Sequence, residues 1–242
     1  MTTPRRSSLK LTSLALLSGV LVLGAPLVAH ASVSNPSIKT VLAAAKISLA
    51  KQKGVHVNVH SLTGSVASSV VADIGETSGT ETYVSGKESF TITLTPTYAY
   101  LSGSASGLTT LMGLNSSEQK KVGRASISMK KGTTQYTTFQ TSLTTGAFSQ
   151  LLPLAKGTTL LSKRDKSTNG YDLKWKKKTT TSTPSSTSTL TISSGTKALP
   201  LKEYVTTSVG SSSTTFTKWG EKVNVVAPSS TIAYSKVFPT GG

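Results

Sequence analysis

The 242-residue chain has no cysteine, three histidines and nine acidic residues, and each scarcity removes a class of chemistry. Without a thiol there is no disulfide framework, no thiolate metal site and no cysteine nucleophile. His30 falls in an apolar leader, which leaves His56 and His60. Four residues apart on one strand, these two share a face but stand about 13 Å apart at ~3.3 Å per residue, too far to hold one metal ion. A solvent-facing polar edge is the expectation, with no metal and no cofactor. Carboxylates are too thinly spread for paired acid-base work. Asp73 and Glu76 sit at a turn, while Glu118, Asp165, Asp172, Glu203 and Glu221 are scattered among lysines, where surface ion pairing is expected. No Gly-x-Ser-x-Gly elbow is present, because Ser102-Gly103-Ser104 and Ser193-Ser194-Gly195 are turn sequences, and no glycine-rich phosphate loop opens a helix. The chain therefore reads as a non-enzyme.

Positive charge is what the chain has in excess. Lysine and arginine number 26, for a net charge of +17. Arg5, Arg6 and Lys10 fall in a segment expected to be removed; three of the seventeen charges go with it, leaving +14. Such a balance favours anionic partners. The densest basic run is Lys174-Trp175-Lys176-Lys177-Lys178, with Lys163, Arg164 and Lys166 just before it. Nucleic-acid proteins interleave basic and aromatic residues in this way. In an exported chain the available polyanions are instead anionic membrane surfaces and wall polymers, so these eight residues are the expected anionic-surface contact, and nucleic acid is not an expected partner. A solvated strand edge is the plainer alternative.

Export is read from the first 31 residues. A basic start is followed by an apolar run from Leu11 to Val28 and by the small-residue site Ala29-His30-Ala31, so cleavage after Ala31 is expected. The run approaches the ~20 residues that span a bilayer, which makes an uncleaved anchor the alternative, but Gly19, Gly24 and Pro26 interrupt it. Arg5-Arg6-Ser7-Ser8-Leu9-Lys10 also resembles a twin-arginine signal. Residues 32–242 are then expected to form one domain, secreted or held in the cell envelope.

Within it, Gly54 to Gly103 reads as a β-meander. Val55, Val57 and Val59 alternate with His56, Asn58 and His60; Val66, Val70, Ala72 and Ile74 keep the parity; Phe90, Ile92 and Leu94 alternate with threonines. A sheet with one apolar face must cover that face. The expected covers are an amphipathic helix over Pro36 to Lys53 with the stripe Ile38, Val41, Leu42, Ala45, Leu49, a short turn from Leu108 to Leu114, and one or two helices from Thr138 to Lys156. Strands follow at Thr158–Arg164, Tyr171–Thr180, Ser186–Ser193, Leu201–Val209, Ser213–Trp219 and Val223–Val226, with Asn169-Gly170 as a tight turn. The Ser/Thr run around Pro184 reads as a hairpin loop, or else a glycosylated linker.

The run Phe216 to Val223, then Ala227-Pro228, together with Ala198-Leu199-Pro200-Leu201 and Leu108 to Leu114, resembles the LppX/LprG-like actinobacterial envelope lipoproteins, over most of Lys39 to Val237. The resemblance implies an α+β, LolA-like fold: a strongly curved antiparallel half-barrel with helices over its concave face, holding acyl chains of lipids or lipoglycans. Those lipoproteins carry an acylated cysteine after the signal, where this chain has Ser32; it is expected to lack the lipid anchor. The cavity is expected between Phe90, Ile92, Leu94, Tyr98, Leu111, Met112, Phe139, Leu143 and Phe148. Function is thus expected to be non-enzymatic carriage of an apolar ligand by a monomer. The alternatives are a secreted structural or surface-interaction protein with a filled core and a cationic face, and a hydrolase of divergent motif.

Overall fold

The computed structural model describes residues 36–165, 169–177 and 185–239. The export segment and the Thr179–Pro184 stretch lie outside these. Helix α1 (Ile38–Leu49) is followed by strands β1 (Gly54–Thr63), β2 (Val66–Gly75), β3 (Gly79–Ser85), β4 (Glu88–Leu94) and β5 (Tyr98–Gly103). Helices α2 (Ala105–Met112) and α3 (Ser116–Val122), strand β6 (Ser126–Lys130), helix α4 (Thr134–Leu143) and a 3₁₀ segment (Thr145–Leu151) come next. Strands β7 (Thr158–Asp165), β8 (Gly170–Lys177), β9 (Ser186–Ser193), β10 (Pro200–Thr207) and β11 (Gly210–Thr217), then β12 (Thr231–Ala233) and α5 (Tyr234–Val237), complete the chain.

All strands join one curved, unclosed sheet of 12 strands in the order β12-β6-β5-β4-β3-β2-β1-β11-β10-β9-β8-β7. It is two meanders joined edge to edge, with β11, the last strand of the second, laid antiparallel on β1, the first strand of the first. The α+β half-barrel expected from the sequence is the fold. Asn169 takes a positive φ of 50° just before β8, while Gly170, expected to share a tight turn with it, is already a strand residue paired with Asp165 and Ser193.

Register explains which side chains face inward. Val55, Val57 and Val59 stand opposite Ile74, Ala72 and Val70, and Ile92 and Leu94 opposite Leu101 and Ala99. In the second meander Leu173 faces Leu190. The outer face carries most of the alternating Thr, Ser and His positions, with Thr191 buried there against Asp172, while Ser188 and Thr214 turn inward. Helix α1 starts at an N-cap, Ser37, whose hydroxyl accepts from the Thr40 N–H at 3.1 Å. That cap is worth about 1 kcal/mol. Burial of Val41, Ala45 and Leu49 contributes more, at roughly 1.5–3 kcal/mol for each large aliphatic side chain, so packing rather than capping holds the helix on the sheet.

Two sequence expectations are corrected here. The helix expected from Thr138 begins at Thr134, because Thr133 supplies an N-cap hydroxyl to the Tyr136 N–H. Val223–Val226 is not a strand. Gly220 N–H donates to Gly54 C=O and Ser78 Oγ to Val223 C=O, which carries the chain across the ends of β1 and β2 instead of alongside an edge. A Cβ on Gly54 would collide with the Glu221 carbonyl. The segment then reaches β6, where β12 pairs in parallel as the outermost strand.

Candidate ligand-binding interior

The inner face carries two apolar clusters rather than one. The first lies under α1 and gathers Val55, Val57, Val59, Ala72, Leu173, Leu190, Ile192, Phe148 and Phe216. Trp219 packs at its edge, with its ring edge-on to Phe148 at 5.3 Å, stacked with Phe216 at 6.0 Å, and with its indole N–H donating to Pro200 C=O at 2.8 Å. The second lies under α2, α3, α4 and α5 and gathers Ile92, Leu94, Ala99, Leu101, Leu111, Ile127, Met129, Phe139 and Leu143.

At the outer end of the second cluster is a cleft with a cavity volume of about 40 Å³, lined by Met112, Met129 and Phe139, with Thr134, Gln135 and Thr138 at its rim. Apart from Met1, the chain's methionines are Met112 and Met129; both line this cleft. Unbranched, polarisable methionine suits a wall that must reshape around different occupants. The helix over the cleft is a poor one by sequence and is anchored by its buried Tyr136, Phe139 and Leu143. α4 contains four threonines, poor helix formers, and the hydroxyls of Thr137, Thr138 and Thr141 bond back to the carbonyls of Thr133, Thr134 and Thr137 at 3.1, 2.9 and 2.9 Å, an arrangement that slightly destabilises and bends helices.

Of the nine residues expected to line a cavity, Ile92, Leu94, Leu111, Phe139 and Leu143 are brought together in the second cluster, with Phe90 and Met112 half-buried against it. Phe148 belongs to the first cluster instead. Tyr98 is on the opposite face of the sheet and stacks there on Tyr100 at 5.9 Å. The cause is the turn at Pro96: Leu94 pairs with Ala99, so even positions on β4 face odd positions on β5, and Tyr98 and Tyr100 turn outward. Met129 was legible as an inward residue, since it alternates with Ser128 beside Ile127, yet its partnership with Met112 depends on a helix position that strand parity does not reveal.

Among the basic residues, Lys174 and Lys176 are exposed on the outer face of β8, whereas Trp175 and Lys177 alternate to the inner side, where Trp175 packs against the first cluster. Lys163 and Arg164 lie on β7; Lys166 and Lys178 are outside the described residues. His56 Nδ1 lies 2.7 Å from Asp73 Oδ1 on the outer face, and His60 is exposed. Glu203, expected among surface ion pairs, is instead on the inner face between Thr214 of β11 and Leu190 of β9. Burial pushes its carboxyl up to about 7. Glu81 is also turned inward, between Ala72 and Ile92, and burial raises its carboxyl too.

No protein-family model matches the chain, and no curated protein matches it. Among solved structures it is similar to lipoprotein LppX from Mycobacterium tuberculosis, at 14% identity over 78% of this chain and 100% of that one, with a TM-score of 0.49. LprF from Mycobacterium bovis gives 13% identity over 78% of this chain and 96% of that one, with a TM-score of 0.48. A DUF1329 family protein from Desulfovibrio piger gives 7% identity over 79% and 96%, with a TM-score of 0.30. No helix among the described residues is long and apolar enough to cross a membrane.

Proposed function

We propose that this protein is a secreted, non-enzymatic carrier of a lipid or other apolar ligand in the cell envelope, which takes an acyl chain between the second apolar cluster and α4. The observation that carries this reading is the meeting of Met112 and Met129 in an apolar cleft with a polar rim, beneath a threonine-rich helix. At about 40 Å³ the cleft is far below the ~300–1,000 Å³ of small-molecule pockets, so uptake requires α4 to swing outward. A C16 chain buried at ~0.8 kcal/mol per CH₂ contributes about 10 kcal/mol before association costs, against which stands the uncovering of Tyr136, Phe139 and Leu143 at roughly 1.5–3 kcal/mol each unless the chain itself covers them again.

Export is part of the same proposal. Removal of residues 1–31 leaves Ser32 first, with no thiol to acylate, so the domain of residues 32–242 is released or held by charge at an anionic membrane surface or wall polymer. Intact mass of the exported protein tests this: it should begin at Ser32 and carry no added lipid.

The binding test is titration of a fluorescent hexadecanoate probe. Wild type should bind it, and Met112→Trp should abolish binding while circular dichroism stays unchanged, because Met112 is half-buried at the cleft rather than locked in the core. The tightness of the closed cleft favours the second reading, a secreted interaction protein with a filled interior; if wild type never binds the probe, that reading stands and the carrier falls.

A further inference from the structure

The two apolar clusters are separated by one strand. The inward positions of β3 are Gly79, Glu81 and Tyr83, fixed by their partners Ile74, Ala72 and Val70 on β2 and Leu94, Ile92 and Phe90 on β4. None of the three belongs to either cluster, whereas the strands on both sides contribute aliphatic side chains to one. The result is a seam across the interior. At one end the backbone of Leu143 presses on Gly79, where a Cβ would collide with its carbonyl. At the other, the Tyr83 ring stacks on Phe90 with centroids 4.9 Å apart. Between them sits Glu81, 9% exposed, beside the small side chain of Ala72. Among the described residues it has no hydrogen-bond or ion-pair partner.

A leucine here would join the two clusters into one continuous core at no desolvation cost. An inward carboxyl with no protein partner does the reverse: it keeps a small exposed area, 9%, and whatever covers it must replace its contact with water by a polar group of its own. We propose that Glu81 is the interior contact for a hydroxyl on the ligand, so that the cargo is a hydrocarbon chain bearing a hydroxyl along its length. This rests on the carrier reading above. The chemistry is matched: a protonated carboxyl has one donor and remaining acceptor capacity, and a hydroxyl likewise donates and accepts, so both groups are satisfied together. Burial raises the Glu81 carboxyl, which favours that protonated form. A ligand of hydrocarbon alone would cover the carboxyl and leave it unsatisfied.

The test is displacement of the hexadecanoate probe from mature protein by octadecanoic acid and by its 2-, 10- and 12-hydroxy derivatives, for wild type, Glu81→Leu and Glu81→Gln. Wild type should bind at least one hydroxy acid about tenfold more tightly than the parent acid, the factor expected of one satisfied buried hydrogen bond. Glu81→Leu should lose that preference, still bind the parent acid, and melt no lower than wild type. Glu81→Gln, which keeps a donor and an acceptor, should retain part of the preference and serves the same comparison should the leucine variant misfold. Equal binding of all four acids by wild type overturns the proposal while leaving the carrier intact, as does a preference that survives in Glu81→Leu. Failure of wild type to bind the probe at all overturns both.

Discussion

The two halves of the interior are covered by helices of opposite character. α1 runs IKTVLAAAKISL, with three consecutive alanines and no more than one threonine, and lies on a cluster that includes the fully buried Leu173, Leu190 and Ile192. α4 runs TQYTTFQTSL and lies beside the cleft. Alanine is the best helix former and threonine about 0.5 kcal/mol worse per residue, so the four threonines set α4 roughly 2 kcal/mol behind an alanine-rich helix before packing is counted. Packing reverses that order: α4 buries Tyr136, Phe139 and Leu143, none more than 1% exposed, and the Tyr136 hydroxyl donates to Thr95 C=O at 3.0 Å. The lesson is that α1 is helped by its own propensity, whereas α4 is held almost wholly by what it buries.

The largest expected effect breaks the first half. Leu173→Ala removes a side chain with 0% exposure and should cost about 2–5 kcal/mol in urea unfolding, with loss of all secondary structure in one transition. Met129→Ala, beside the cleft, should cost less than Leu173→Ala in the same measurement, because a wall already next to open space collapses more easily. Equal costs would mean that the two halves are packed alike.

Next in size is a pH dependence. The Glu203 carboxyl stands at about 7 in the folded protein against 4.5 ordinarily, so between these values the folded state holds a proton that the unfolded state has released. Stability is therefore full below pH 4.5, falls as pH rises through the window, and levels off above pH 7. The loss should be on the order of 2 kcal/mol after a discount for partial exposure. Glu203→Gln should flatten the denaturant midpoint across that range; an unchanged slope would show that the carboxyl is solvated.

A smaller change sharpens the comparison from the other side. Thr137→Ala with Thr141→Ala, both exposed on α4 and away from the cleft lining, should stabilise the helix by roughly 1 kcal/mol. Amide exchange in α4 should slow and probe association should slow with it, leaving α1 exchange unchanged. If association is unaffected, α4 is not the element that opens.

The effect expected to be smallest at physiological salt concerns the outer face. Lys174→Ser with Lys176→Ser should weaken co-sedimentation with anionic vesicles about tenfold at low salt, and much less at physiological salt, where charges are screened beyond ~8 Å. Lys177→Ser, on the inner side of β8, should do less than either exposed lysine.

Alternation was enough to place most of the strands, because period two is imposed by the pleat wherever one face meets apolar neighbours and the other meets water. The valines of β1, the Phe90-Ile92-Leu94 face of β4 and, in the α1 stripe, Val41, Leu42, Ala45 and Leu49 are where their spacing puts them; Ile38 of that stripe stays half-buried outside both clusters. The curved half-barrel was legible not from alternation but from the resemblance to the LppX/LprG-like lipoproteins. Parity fails across a turn whose length is not known, and so Tyr98 was assigned inward although the Leu94–Ala99 pairing turns it out. Glu203 was read as a surface residue because charge suggested exposure, whereas its strand position, between inward-facing Leu201 and Val205 on β10, decides otherwise.

What the residues determined by themselves is local: the absence of thiol chemistry, the positive charge, the strand periods and the amphipathic face of α1, each set by neighbours within a few positions. Only the tertiary structure decided that β11 pairs with β1, that Met112 and Met129 share one cleft, and that β3 divides the interior with Glu81 at its middle. These are meetings of residues far apart in the chain. They depend on hydrogen-bond register and on where helices come to rest, and no short-range pattern encodes either, because the same alternating strand can pair with any partner of matching length and polarity.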